Sequence, residues 1–352
     1  MTGIDLFVGP AILKTFCNRC KTVQLERRMY VRRDVLKIAA GATATSMFSM
    51  PSARAKAPLQ RTQAPGFYRL PLGSLEVTAL SDGTLELPLS KLYTHTTEEH
   101  ARTVLAASFQ AEPATVSVNA FLINTGERLV LIDAGTGSYL GPSLGKLLSS
   151  LGAAGYQADQ VDEIILTHVH TDHSGGLSRD GKCIFPKAVL HINRLEYEFW
   201  LETKEQDRPA NVPSVQFKQA RETVDPYINK GRLKVFEPNG QVFAGFGSIL
   251  RPGHTPGHSS IVVGDSGKKI VFWGDITHGE IMQFDEPGVA IEFDVEQQGA
   301  IEARAAAFED AARERYLVAG AHISFPGIGH IRRDDTNYDW VPLQYSDQAS
   351  TK

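Results

Sequence analysis

From Thr167 to Gly176 the chain runs Thr-His-Val-His-Thr-Asp-His-Ser-Gly-Gly, which puts His168, His170, Asp172 and His173 within six residues. Just before them, Ile164-Ile165-Leu166 is a short, fully apolar segment with the character of a buried strand. Alternate side chains of an extended chain share a face, so His168 and His170 can grip one ion together. The turn that follows throws Asp172 and His173 toward a second ion beside it. Imidazole and carboxylate without thiolate suit zinc or a similar divalent metal such as manganese, iron or cobalt. A structural zinc site is closed and often uses cysteine, whereas this set leaves positions open, as catalysis requires.

Three later features extend the set. Pro252-Gly-His254-Thr-Pro-Gly-His258, Phe272-Trp-Gly-Asp275 and Ala321-His322 each follow an apolar run with strand character. Any one of them alone would read as a core histidine or a turn aspartate. Beside the first cluster, strand ends meeting at one edge of the fold make them ligands. Two divalent ions lower the pKa of a water they share toward neutrality, supplying a hydroxide for attack on a carbonyl or phosphoryl centre. Asp172 is placed to orient that hydroxide and pass a proton. There is no GxSxG, and no Ser–His–Asp set is needed.

The elements that must position these residues are mostly short strands. Leu75–Leu80 reads as a strand, and Val118–Ile123 with Arg128–Ile132 forms a hairpin around Asn124-Thr-Gly126. Helices are expected over 141–151, 188–206 and 295–315, with a Pro-containing loop at 207–216. Further strands fall within Ile249–Val263, Lys269–Trp273 and Tyr316–Ala319. Two series of strands with helices outside imply an α/β fold, a four-layer αββα sandwich in a single domain over residues 66–346. Residues 58–65 form a flexible lead-in and 347–352 a tail.

The N-terminal segment differs in charge. Ten of the 36 Lys and Arg but three of the 40 acids lie in residues 1–57, so residues 58–352 carry 26 basic and 37 acidic side chains, a net of −11. An acidic body disfavours nucleic acid and anionic membrane surfaces. In residues 1–57, Arg32-Arg33 precedes a weakly apolar run from Ile38 to Met50, and Ala55-Lys-Ala57 has a small-x-small cleavage pattern. This resembles a twin-arginine export signal, implying a periplasmic or secreted protein; Val31 and Val35 depart from its usual form. The run is too short and too rich in small residues for a membrane span. Met29 is an alternative start. Cys17 and Cys20 form a lone CxxC in this leader, and residues 58–352 hold only Cys183, so no intramolecular disulfide is expected there.

The order HxHxDH, a histidine in HxPGH, a GD aspartate and a late histidine resembles the metallo-β-lactamase superfamily. That resemblance implies that His168, His170 and His254 hold one metal, that Asp172, His173 and His322 hold the other, and that Asp275 bridges them. It also implies two divalent ions, zinc first, with His258 and Asp133 behind the ligands, orienting them. True metallo-β-lactamases lack the bridging aspartate, and glyoxalase II carries a C-terminal helical domain for which the residues after His322 leave little room. Persulfide dioxygenases, with one iron, are the alternative from another class.

Pro65-Gly-Phe-Tyr-Arg, Ala79-Leu-Ser-Asp-Gly-Thr, Leu151-Gly-Ala-Ala-Gly-Tyr, Glu198-Phe-Trp-Leu and His322-Ile-Ser-Phe-Pro-Gly-Ile-Gly-His resemble the methyl parathion hydrolase family. That family implies an exported homodimer acting on small-molecule phosphotriesters, with related members that open lactones. Its pesticide-degrading members have Arg, Leu, Thr and Leu where this chain has Leu92, His278, Ile291 and Phe293. Those positions are expected at the pocket mouth, where bulky apolar walls and one imidazole favour a flat lactone or aryl ester over a tetrahedral triester. His278 is the candidate donor to the substrate carbonyl or leaving oxygen. Phe199, Trp200 and Phe217 are candidate pocket aromatics.

Overall fold

In the computed structural model, residues 59–61 and 63–347 are described. The leader with Arg32, Arg33, Cys17 and Cys20, and the tail beyond 347, lie outside the described residues.

Fourteen strands make two seven-stranded sheets, each in simple chain order. The first contains β1 (Phe67–Leu72), β2 (Leu75–Leu87), β3 (Ala114–Asn124), β4 (Leu129–Ile132), β5 (Glu163–Ile165), β6 (Val189–Asn193) and β7 (Leu233–Phe236). The second contains β8 (Gly240–Phe243), β9 (Phe246–Leu250), β10 (Ser259–Asp265), β11 (Lys268–Phe272), β12 (Leu317–Ala319), β13 (Ile328–Asp334) and β14 (Asn337–Pro342). Strands β4 to β7 run parallel, as do β11 and β12; the other neighbouring pairs are antiparallel.

Alternation along the strands sorts apolar side chains onto two faces. Val77, Phe121, Ile123, Ile132 and Ile165 of the first sheet meet Ile261, Val263, Ile270 and Phe272 of the second in a core between the sheets. On the outer face of the first sheet, Leu122, Leu131 and Leu190 pack beneath α2 (Leu147–Ala153) and α3 (Ser214–Asn229), while α1 (Glu98–Ala107) belongs to a separate small cluster. On the outer face of the second, Val271 and Val318 pack beneath α4 (Gln297–Glu314) through Ala307, Phe308 and Ala311. The layers are therefore helix, sheet, sheet, helix, the αββα sandwich expected. Among the described residues no helix is long and apolar enough to cross a membrane.

Several boundaries differ from the sequence reading. The helix expected over 141–151 begins only at Leu147, because Gly141 (φ 95°) and Gly145 (φ 74°) hold left-handed conformations that break it. The span 188–206 opens as β6, since Val189-Leu-His-Ile-Asn193 alternates into a parallel sheet; helix starts at Arg194. The helix α3 begins at Ser214, inside the span expected as loop, and the hairpin β13–β14 extends the second sheet beyond the strands the sequence predicts.

Candidate metal centre

Every loop of the centre leaves the same end of the sandwich. After β5, Asp133 accepts from the Thr167 backbone N–H and hydroxyl, each at 2.8 Å, and fixes the chain entering the histidine cluster. His168 to His170 is extended, and Thr171–Ser174 makes one helical turn, so the side chains diverge as the spacing predicts. Glycines 175 and 176 follow because any Cβ would lie 2.1 Å from the Thr136 carbonyl oxygen or 2.0 Å from that of Ala134. The 251–258 loop joins β9 to β10, closed by Arg251 N–H to His258 O at 2.8 Å. Asp275 follows β11, and His322 follows β12.

Two buried clusters result, one of His168, His170 and His254, the other of Asp172, His173, Asp275 and His322. In the first, His170 Nδ1 lies 3.1 Å from His168 Nε2 and 2.9 Å from His254 Nε2. Asp275 joins the two. Its Oδ2 is 3.2 Å from His254 Nε2, 3.1 Å from His322 Nε2 and 3.8 Å from His168 Nε2, and its Oδ1 is 3.0 Å from His173 Nε2. Asp172 Oδ2 lies 3.2 Å from His322 Nε2. A third, overlapping group brings His278 together with His254 and Asp275.

The donor set fits divalent cations. Behind the ligands, His173 Nδ1 meets Asp133 at 2.8 Å, His254 Nδ1 meets Asp294 at 2.8 Å, and His322 Nδ1 meets the Ser117 carbonyl at 2.9 Å. Each partner accepts, so Nδ1 carries the hydrogen and Nε2 is the nitrogen turned inward. His173 Nε2 and Asp275 Oδ1 face each other inside the protein without a hydrogen bond. Electrostatics agree. Burial lowers the His254 and His322 pKa values, but the carboxylates outweigh it and push them up to about 9 and about 10, led in both by Asp275. For Asp275, burial is outweighed by the surrounding imidazoles, which hold its carboxyl well below the usual range. The pocket therefore demands positive charge at its centre, which bound cations would supply, and their uptake releases protons.

His258 sits behind the ligands. Its Nδ1 donates to Arg251 O at 3.0 Å, and its Nε2 accepts the Asp275 backbone N–H at 2.9 Å. His278 faces the centre, with Nε2 3.1 Å from Asp275 Oδ2 and its ring stacked on His322. Its own backbone is held by Tyr93 Oη donating to its carbonyl at 2.6 Å and by its N–H donating to Gln283 at 2.7 Å. Burial pushes the His278 imidazole below its ordinary pKa.

A cavity of about 360 Å³ opens above the centre. Its floor includes His170, Asp172, His254, Asp275, His278 and His322. Its walls are chiefly Leu85, Leu87, Leu140, Pro213, Val215 and Phe293, with Gln216 and Gln219 beside them, and no Lys or Arg. Phe293 is where the sequence placed it. The other proposed wall residues are not. Trp200 and Phe217 are fully buried in the core under the first sheet, and Phe199 packs against both. Ile291 and Leu92 belong to a separate apolar cluster around Tyr93 and Met282. These side chains fill volume beneath the site, as aromatic and branched residues commonly do. Leu140, Val215, Glu196 and Asp294, which shape or brace the site, were missed. The two leucine and valine positions lie on a loop and a helix start with no motif, and the two acids act from outside the ligand motifs.

The model of the metallo-beta-lactamase superfamily matches residues 114–322. The N-acyl homoserine lactonase AiiA of Bacillus thuringiensis subsp. kurstaki is 28% identical over 118 residues, which are 34% of this chain and 39% of that lactonase. The chain therefore spans well under half the length of the curated lactonase it matches. The crystal structure of the hydrolase AbOPH of the beta lactamase superfamily is 36% identical, with TM-score 0.77, covering 81% of this chain and 100% of that one. AidC, a dizinc quorum-quenching lactonase in complex with the product N-hexanoyl-L-homoserine, is 26% identical, with TM-score 0.75, covering 80% of this chain and 99% of that one.

Proposed function

The chain belongs to the metallo-beta-lactamase superfamily, and from that premise we propose that it is a metal-dependent hydrolase, a binuclear lactonase that also takes aryl esters. The observation that carries this is the meeting of two ligand clusters on Asp275, with His278 at 3.1 Å, on the floor of an apolar cavity. AiiA and AidC, both lactonases by name, support the substrate class.

Two divalent cations, zinc by the donor set, supply an acidified water and polarise the substrate carbonyl when bound. The protein does the rest. Leu140, Val215 and Phe293 hold the apolar part of the substrate and exclude water. Asp172, the ligand that reaches furthest into the cavity, takes the proton of the attacking water as its oxygen bonds to the carbonyl carbon. The ring C–O bond breaks, and the proton passes to the leaving alkoxide. His278, buried on the floor of the cavity, donates a hydrogen bond to the carbonyl or leaving oxygen.

A panel of an acyl-homoserine lactone, an aryl lactone, phenyl acetate and methyl paraoxon tests the reading. Lactone and ester kcat/KM should exceed that for the triester. Replacing His278 and Phe293 together with Leu should open the pocket and shift the lactone-to-triester ratio by on the order of 10²-fold toward the triester. A wild type that prefers the triester assigns the chain to phosphotriester hydrolysis, as in the methyl parathion hydrolase family. The same reading includes a homodimer, checked by sedimentation, and twin-arginine export. Replacing Arg32 and Arg33 with Lys should hold the protein in the cytoplasm; unchanged export sinks that assignment.

A further inference from the structure

Glu196 is a fully buried carboxylate, and among the described residues it has no ion-pair partner of opposite charge. It lies in the short helix Arg194–Tyr197 that follows β6, outside every ligand motif. Three N–H groups converge on it. Its Oε2 accepts from Val169 N–H at 2.9 Å and from Trp200 Nε1–H at 2.8 Å, while Oε1 accepts from Gly257 N–H at 2.9 Å. Burial pushes the Glu196 pKa up, and these donors oppose it, since each binds an ionised carboxylate more strongly than a neutral acceptor.

The donors' places in the chain give the contact its meaning. Val169 lies between His168 and His170, and Gly257 lies three residues after His254. One carboxylate thus ties together the two loops that carry all three imidazoles of one cluster. Gly257 is part of the device. A Cβ there would lie 2.4 Å from Glu196 N, so only glycine lets this loop come close enough. Trp200 extends it, its ring meeting His170 edge-on at 5.4 Å between centroids. The other cluster has braces Glu196 does not touch, Asp133 behind His173 and Ser117 O behind His322, while Asp133 through Thr167 and Asp294 behind His254 add to the first.

We propose that Glu196 is the positioning residue that sets His168, His170 and His254 as one ion site, leaving the Asp172–His173–His322 site to other braces. This rests on the binuclear reading above. Glu196→Gln keeps size and reach but turns an NH₂ toward one donor, so one loop is released. Glu196→Asp keeps the charge but is one methylene too short to span both loops. Trp200→Phe removes one donor and leaves the link between loops intact.

The test is zinc titration of the metal-free wild type and the three variants against a chromogenic chelator, with near-ultraviolet circular dichroism to check the fold. The wild type should take up two ions. Glu196→Gln and Glu196→Asp should each retain one ion at wild-type affinity and bind the other on the order of 10–100-fold more weakly. Trp200→Phe should keep both. Unchanged affinities in the Glu196 variants, or equal weakening of both ions, overturns the role. So does failure of both variants to fold, which would make the carboxylate a support of the whole fold rather than of one site. A wild type that takes up one ion overturns the binuclear reading itself.

Discussion

Asp275→Ala is expected to lower kcat/KM by several orders of magnitude and to cut metal content below the two ions proposed for the wild type. Asp275 is the carboxylate that faces imidazoles of both clusters. Its Oδ2 faces His254, His322 and His278, and its Oδ1 faces His173. Alanine removes the only carboxylate between two cations, so their mutual repulsion goes unscreened while His173 and His322 lose the charge that draws them inward. His258→Ala is the informative contrast. It deletes the acceptor of the Asp275 backbone N–H at 2.9 Å but no ligand, so a loss of about 10–100-fold is expected. Metal analysis and kinetics on both variants, and on chelated wild type, decide the matter. An Asp275→Ala protein that keeps two ions and wild-type turnover would falsify the bridging role, and chelated protein at full activity would remove the metal from the reaction.

The centre was legible because its largest part is contiguous. Four candidate ligands follow one buried strand, and strand and turn geometry divide them between two clusters. His254, Asp275 and His322 were legible because each immediately follows a strand. What braces those ligands was less so. Asp133 stood in a recognisable Leu-Ile-Asp-Ala-Gly run, but Asp294 reaches His254 from 40 residues away, between Phe293 and Val295, with no spacing to mark it. Glu196 sits in a stretch whose alternation was taken for helix. The strand β6 that delivers it is short, and its buried His191 and Asn193 blur the apolar pattern.

The pocket was the least legible part, for a physical reason. Aromatic residues near a site in sequence were taken to face it, but Trp200 and Phe217 point under the sheet, where they exclude more water than a cavity wall would allow. The wall instead uses exposed aliphatic side chains, Leu140 and Val215, whose exposure of 44% and 52% is tolerated because a substrate would cover them. With Ile291 and Leu92 off the wall, the preference for a planar acyl centre rests on His278, Phe293 and the lactonase relatives.

Gly253→Ala should be the most damaging single-methyl change near the site. Gly253 precedes His254 at φ 126°, a conformation that favours glycine. A Cβ there would lie 2.0 Å from Ala300 N, 2.4 Å from Gly299 C and 2.6 Å from Ala300 Cα. All three are backbone atoms in the first turn of α4, so no side chain can rotate out of the way. The loop cannot retreat freely either, because Glu296 N–H donates to Gly253 O at 2.8 Å while the Glu296 carboxylate caps Gln298 and Gly299. Backbone strain of about 1–3 kcal/mol and overpacking of about 1–3 kcal/mol act together. With roughly 2–4 °C per kcal/mol for a domain of this class, Tm should fall by about 4–24 °C. Gly126→Ala separates the two causes, since Gly126 has φ 83° but nothing within 4 Å of its added Cβ. It should show the strain alone. Metal-free proteins are compared first by thermal melts, then titrated with zinc, and Gly253→Ala should also weaken the ion held by His254. A Gly253→Ala protein that melts with Gly126→Ala and binds both ions normally would show that the His254 loop does not rest on α4 as described.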